Sequence, residues 1–269
     1  MPGISASSSA RPLLVFGDDG APASDMAWQW INSHRWPGWH VDVMTADADA
    51  SRIEWGSPAR VEEWEPKWDR TPSDEQPTMQ VRFLKVHTDP RAMLADIEAD
   101  LMVVGLRSGS YLDAKVTGST TEWLLHHPPA PLVVVRTPDP VRKVLVCADG
   151  SDHAVCAMSS FAALPMAAAA DVTVVAVDDG RVDVGAALES ASTTLEGRVS
   201  ALDTATSQGT PARAILEVIQ RETPDLVVLG TRGLTGWRRL RLGSTAATVV
   251  RAAPCNSLVD FSESGSGPG

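Results

Sequence analysis

Apolar residues in this chain come in short runs, each followed by a stretch with helical spacing. Leu13-Leu14-Val15-Phe16 is the first run, and a helical pattern through Met26, Trp30 and Ile31 follows it. A second run spans His40 to Ala46. Near-continuous apolar runs bounded by Gly, Pro and Asp predict strands buried on both faces. The same order returns after Pro138-Asp139-Pro140. Val144-Leu145-Val146-Cys147 is followed by a helical pattern over Ala154 to Leu164 and by the run Asp171 to Val177. Third strands are expected near Met79–Val86 and Val199–Ala205, and fourth strands at Leu101–Val104 and Leu226–Leu229. Asp89-Pro90 and Thr210-Pro211 open helices over Arg91–Ala99 and Ala212–Glu222, since Pro after a capping residue suits a first helical turn. Each half closes with an apolar strand, Pro131–Val135 and Ser257–Val259. Strands alternating with helices at this spacing predict an α/β fold. Two tandem doubly wound parallel-sheet domains of about five strands each are expected.

The two halves align without a gap over two long stretches. Leu13 to Asp47 matches Val144 to Asp178, and Asp100 to Val134 matches Asp225 to Val259. On this alignment Asp18 faces Asp149. The expected boundaries are a disordered N-terminus over 1–11, a first domain over 12–138, a second over 139–261 and a flexible tail over 262–269. The halves differ most between Ser51 and Met79, where Trp55, Trp64 and Trp68 stand among four prolines and many acids. Proline density rules out one continuous helix there. A loop is expected, with at most a short helix near Arg60–Glu65, and its tryptophans are expected to pack over the sheet. In the second half Val182–Gly197 takes this place and predicts a helix.

The residues that bear chemistry sit between the fourth strand and the last helix of the second half. Gly230, Gly233, Gly243, Ser244 and Thr245 form the pattern Gly-x2-Gly-x9-Gly-Ser-Thr. Glycines where a strand ends and a helix begins let backbone N–H groups converge on an anion, and the hydroxyls add donors. Arg232, Arg238, Arg239 and Arg241 place positive charge in the same loop. In such sheets ligands bind beyond the carboxyl ends of the strands, where Asp149, Val177 and Gly230 end the first, second and fourth strands. The first half keeps a variant of the pattern in Gly105, Ser108, Gly118, Ser119 and Thr120, with Ser108 in place of the second glycine.

Overall composition narrows the partners. The formal charge is −11, so nucleic acid and acidic membranes are poor expectations. No apolar run approaches the ~20 residues of a membrane span. Three cysteines (Cys147, Cys156, Cys255) without a Cys-x-x-Cys argue against a disulfide framework or zinc and fit a reducing, cytoplasmic setting. The six histidines show no metal-ligand spacing, and no metal site is expected. Cys147, in a buried strand, is expected to be inert.

With these motifs in view, the chain resembles the universal stress protein family, in its tandem two-domain actinobacterial form. The resemblance implies an adenine-nucleotide-binding, Rossmann-like fold and ATP as ligand, with Mg²⁺ accompanying the phosphates. It implies that Asp149 contacts the nucleotide near the ribose and that the Val177 backbone meets the adenine. Gly230, Gly233, Gly243, Ser244 and Thr245 would hold ribose and phosphates. In weaker correspondence it points to Asp18, Ala46, Gly105, Ser108, Gly118, Ser119 and Thr120 in the first half. The expected function is a cytoplasmic, ATP-binding stress-response sensor or regulator, with the nucleotide held mainly by the second domain. No catalytic residue is assigned: the loop lacks Gly-x4-Gly-Lys-(Ser/Thr) and an evident general base, so any ATP hydrolysis is expected to be slow. An unidentified regulatory protein partner is expected. Two fused units are expected to form an internal pseudo-dimer, with a homodimer of chains also open. The alternative is a nucleotide-independent scaffold that recognises a protein through the tryptophan-rich segment.

Overall fold

The computed structural model describes residues 11–47, 60–74, 79–95, 97–106, 120–231 and 242–260. The chain divides into two compact units, Met1–Pro138 and Asp139–Gly269.

The second unit is the simpler one. Its strands are β7 (Lys143–Ala148), β8 (Asp171–Asp178), β9 (Ala201–Gln208), β10 (Leu226–Gly230) and β11 (Asn256–Asp260). They lie in the order β11-β10-β7-β8-β9, all parallel. The chain builds outward from β7 to β8 and β9, then returns to the other side of β7 for β10 and β11. The switch point therefore lies between β7 and β10, and ligands of such sheets bind at the carboxyl ends there. Burial follows position. Every residue of β11 is buried and all of β10 except Gly230, whereas the edge strand β9 alternates exposed and half-buried positions.

Its helices begin and end where side chains dictate. Helix α4 (Asp152–Ala162) is capped by Ser151, whose Oγ accepts from the Ala154 N–H at 3.2 Å. Helix α5 (Val184–Leu195) is capped by Asp183, which accepts from the Ala186 N–H at 3.0 Å. Helix α6 (Pro211–Glu222) starts with Pro at its first position and buries Ala214, Ile215, Val218 and Ile219 along one stripe. It stops at Thr223, held at φ 47°, just before Pro224. Helix α7 (Ser244–Ala252) follows the glycine loop.

The first unit repeats this plan with one addition. Its strands are β1 (Leu13–Gly17), β2 (His40–Ala46), β3 (Val61–Glu63), β4 (Gln80–Val86), β5 (Leu101–Gly105) and β6 (Leu132–Val135). The order is β3-β4-β2-β1-β5-β6, parallel except for β3, which runs antiparallel along β4. Residues 61–63 thus form a strand where a short helix was expected from the sequence. The exposed edge of β4 offers backbone groups to pair with, and the seven residues between Pro58 and Pro66 are too few for a helix that is stable by itself. Helices α1 (Pro22–Asn32), α2 (Pro90–Ala95) and α3 (Thr120–His126) complete the unit. Helix α1 buries Ala27, Trp28, Trp30 and Ile31, and Trp30 joins His34, Trp36 and Trp39 in a chain of ring contacts. The His34 Nδ1–H is satisfied by the Trp30 carbonyl at 2.7 Å.

Two aspartates show how closely the plan repeats. Asp100 Oδ2 accepts from the Leu13 N–H at 2.7 Å, at the start of β1. Asp225 Oδ2 accepts from the Arg142 and Lys143 N–H groups at 2.9 and 2.8 Å, at the start of β7. Each carboxylate sits just before its own strand and ties the entry of the neighbouring one.

Candidate nucleotide site

The candidate site grows from the turn after β7. Asp149 Oδ1 accepts from the Ser151 N–H at 3.0 Å and from the Ser151 hydroxyl at 2.6 Å. Gly150 between them takes φ +76°, a conformation that favours glycine. One carboxylate oxygen thus shapes the turn, while Asp149 Oδ2 receives no hydrogen bond among the described residues. Capping by Ser151 leaves the Asp149 side chain half-exposed at the carboxyl end of β7.

Gly230, the last residue of β10, fixes the next contact. A Cβ at this position would lie 2.6 Å from Ala154 N and 2.7 Å from His153 C. The glycine is there to let the strand end touch the first turn of α4. Space for a phosphate, the reason glycine was expected here, is a secondary matter at this residue. Thr231 follows, buried, and its carbonyl accepts from the Gly243 N–H. That bond brings together the two ends of the segment 232–242. Gly243 is the N-cap of α7 with φ −69°, and no side chain among the described residues caps the helix. Among the described residues the first-turn N–H groups of α7 thus have no side-chain acceptor, and they lie beside the exposed Ser244 and half-buried Thr245.

Val177 completes the edge. The pairing of β7 with β8 ends at Ala148 and Ala176, so Val177 lies one residue beyond the last strand pair on that side. Its side chain is buried, which leaves the backbone as the part of this residue a ligand could meet. The turn after β7, the Val177 backbone, the end of β10 and the start of α7 are thus neighbours at one switch point. Gly233 and the four loop arginines lie outside the described residues.

The first unit presents a different edge. Asp18 was expected to stand where Asp149 stands, and the sheet register corrects this. Leu13 pairs with His40, whereas Lys143 pairs with Asp171, so β1 and β7 correspond one residue away from the gapless alignment. Asp19 is the counterpart of Asp149. Its Oδ1 accepts from the Ala21 N–H at 3.0 Å, and Gly20 after it takes φ +69°. Ser24 contributes its hydroxyl to the same oxygen at 2.7 Å. The missing residue is recovered in the connection before β2, which spans 33–39 against 163–170 before β8.

Asp18 has another role. It is buried, and its carboxylate accepts from Arg70 Nε and Trp68 Nε1, both at 2.7 Å on Oδ2. Its Oδ1 accepts from Arg70 Nη2 and the Gly20 N–H, both at 3.0 Å. Arg70 also meets Asp25 at 2.9 Å. Burial disfavours the Arg70 charge, but Asp18 and then Asp25 outweigh it and hold the guanidinium above its ordinary pKa. Neither Trp68 nor Arg70 was singled out from the sequence as a partner of the first strand. A buried carboxylate at a strand end needs a cation, and the only hint was a tryptophan-rich insertion with an arginine at its end.

Among the remaining first-unit residues, Gly105 repeats the close approach of Gly230: a Cβ there would lie 2.1 Å from the Ala23 carbonyl oxygen. Thr121 donates to the Gly105 carbonyl at 3.2 Å, and Thr120 begins α3. Ala46 ends β2 opposite Val86. Ser108, Gly118 and Ser119 lie outside the described residues. Of the tryptophans, Trp64 and Trp68 pack edge-to-face at 5.5 Å, with Lys85 Nζ 4.9 Å above Trp64. Trp55 lies outside the described residues. Burial above all, then the charges of Asp149 and Cys255, pushes the Cys147 thiol far above the ordinary cysteine range. Among the described residues no group of three His, Cys, Asp or Glu is placed to hold a metal ion. No helix among them is long and apolar enough to cross a membrane.

Comparison with known proteins agrees with this geometry. A universal stress protein of Methanocaldococcus jannaschii is 44% identical over 52 residues, which are 19% of this chain and 31% of that protein. One from Thermus aquaticus is 50% identical over 52 residues, 38% of its length. The chain thus matches about a third of the length of these curated relatives. A universal stress protein of Archaeoglobus fulgidus superposes with TM-score 0.67 at 17% identity, over 94% of this chain and 97% of that one. A protein of unknown function from Pseudomonas aeruginosa gives TM-score 0.57 at 14% identity, covering 93% of this chain and 92% of its own. At such identities the two structures establish a shared fold. The model of the universal stress protein family matches residues 140–259, which span the strands and helices of the second unit from β7 to Val259 in β11.

Proposed function

We propose that the second unit binds an adenine nucleotide, with ATP as the expected ligand, and that the chain acts as a cytoplasmic sensor or regulator in a stress response. The observation that carries this reading is the uncapped start of α7, tied by Gly243 to the end of β10 beside the β7 turn. Free N–H groups at a helix start favour phosphate oxygens. Ser244 and Thr245 supply hydroxyl donors to the same group. Asp149, with Oδ2 unengaged, suits a ribose hydroxyl, and the Val177 backbone suits the polar edge of a base. Mg²⁺ would ride on the phosphates, since no group of His, Cys, Asp or Glu among the described residues is gathered to hold it. Nothing in the described site places a general base near a phosphate, so binding and slow release fit better than turnover.

The test is calorimetric titration of the full chain with Mg-ATP, after denaturing a sample to check for co-purified nucleotide. Saturable binding is expected. Gly243→Asp is expected to weaken it by roughly a hundredfold, because a carboxylate at the helix start takes the place and the field of the phosphate. A nucleotide-free wild-type chain that shows no binding heat would sink the reading. Fast ATP turnover abolished by Gly243→Asp would replace it with an enzymatic one.

A further inference from the structure

We propose that the first unit is closed to nucleotide by a ligand of its own, the side chains of Trp68 and Arg70. The proposal rests on the reading of the second unit as the nucleotide site and adds the occupancy of the first. The two turns that follow β1 and β7 share the same aspartate bond and the same left-handed glycine. Their surroundings differ. Among the described residues a Cβ at Gly150 would meet a single neighbour, the Ala187 methyl at 3.8 Å. A Cβ at Gly20 would meet three atoms of the Trp68 ring between 2.7 and 2.9 Å. The indole lies against the first-unit turn at contact distance, whereas no described side chain takes this place at the second-unit turn.

Behind the indole, Arg70 closes the edge chemically. Its guanidinium lies 6.0 Å from the Phe16 ring centroid and 5.8 Å from that of Trp68. It is bonded to Asp18 through two nitrogens and paired with Asp25. Both oxygens of Asp18 and one oxygen of Asp19 are engaged internally at this turn. Asp18 is consumed by Arg70, Trp68 and Gly20, and Asp19 Oδ1 by Ala21 and Ser24. Displacing the pair would strand a buried carboxylate and a buried guanidinium, a loss that nucleotide contacts would have to exceed. The chain then binds one nucleotide, in the second unit.

Photolabelling of the full wild-type chain with 8-azido-ATP, followed by peptide mapping, tests the assignment. Label confined to peptides of the second unit is expected, and label on 16–21 or 44–47 would overturn the proposal. Carbodiimide-driven amidation of the same wild-type chain reads the closure without any nucleotide. Asp149 is expected to react at least about tenfold faster than Asp18, as an exposed carboxylate does beside one that reacts only through local opening. Equal rates would overturn the proposal even if no nucleotide bound. Absent photolabel with the rate difference intact would remove the nucleotide reading of the second unit and leave the closure standing.

Discussion

The β1–α1 turn and the β7–α4 turn use one backbone device for two ends. Both have an aspartate accepting from the N–H two residues on, both place a glycine at positive φ, and both lead into an eleven-residue helix. In the second unit Ser151 caps the helix, and Asp149 Oδ2 accepts no hydrogen bond among the described residues. In the first unit Ala21 occupies the cap position without a capping side chain, and the chain folds an indole and a guanidinium over the turn. A duplicated turn can thus keep its geometry while its polar groups are either left half-exposed or spent on the fold. The distinction lies in residues some fifty positions away in sequence.

The sharpest way to break the comparison is to remove the guanidinium. Arg70→Ala leaves Asp18 buried without its cation and is expected to destabilise the first unit by about 3–5 kcal/mol, as for other buried pairs broken from one side. Asp149→Asn, at the corresponding turn of the second unit, is expected to cost under about 1 kcal/mol, because that carboxylate is half-exposed and has no ion-pair partner among the described residues. Urea unfolding of the full chain, with hydrogen exchange at β1 and β7 to assign each loss to its unit, reads both. Similar losses for the two variants would erase the contrast.

The next effect is shared by the units. Gly105→Ala and Gly230→Ala each push a methyl into backbone atoms of the facing helix, at 2.1 and 2.6 Å. Each is expected to cost about 1–3 kcal/mol, with the larger loss at Gly105. Urea midpoints that stay at the wild-type value would show that α1 and α4 can shift freely. The smallest effect returns to the caps. Ser151→Ala should cost about 1 kcal/mol, and Ala21→Ser should recover up to a similar amount in the first unit. Thermal unfolding of the paired variants tests this. A neutral Ser151→Ala would mean that the Asp149–Ser151 bond, lost with it, was already offset by water.

Much of the fold was legible along the chain, and the reason is local. Leu226–Leu229 and Leu132–Val135 are uninterrupted apolar runs that only a doubly covered parallel strand can bury. Pro211 after Thr210 and Ser151 before α4 mark helix starts through their own chemistry. Gly230 and Gly243 were legible as a strand-to-helix passage. The specific duty of Gly230, contact with α4, depended on which helix lies across the strand.

The misplaced residues were those whose local signals are degenerate. Leu13-Leu14-Val15-Phe16 against Val144-Leu145-Val146-Cys147 slides by one residue without changing its apolar character. The run could not say whether Asp18 or Asp19 answers Asp149. Hydrogen bonding decided it, since the aspartate that precedes the left-handed glycine accepts from the residue beyond. Residues 61–63 carry no strand periodicity of their own and became a strand because β4 had an open edge.

Sequence alone determined the order of the five parallel strands of each unit and of the helices between them, and the position of the glycine loop. Those follow from hydrophobic period, proline and glycine, which act on neighbours in the chain. Only the tertiary structure decided that Asp18 is spent on Arg70 and Trp68 while Asp149 stays available. Charge pairing and burial act through space. The free energy of a carboxylate at a strand end is therefore set by whichever distant segment comes to rest against it.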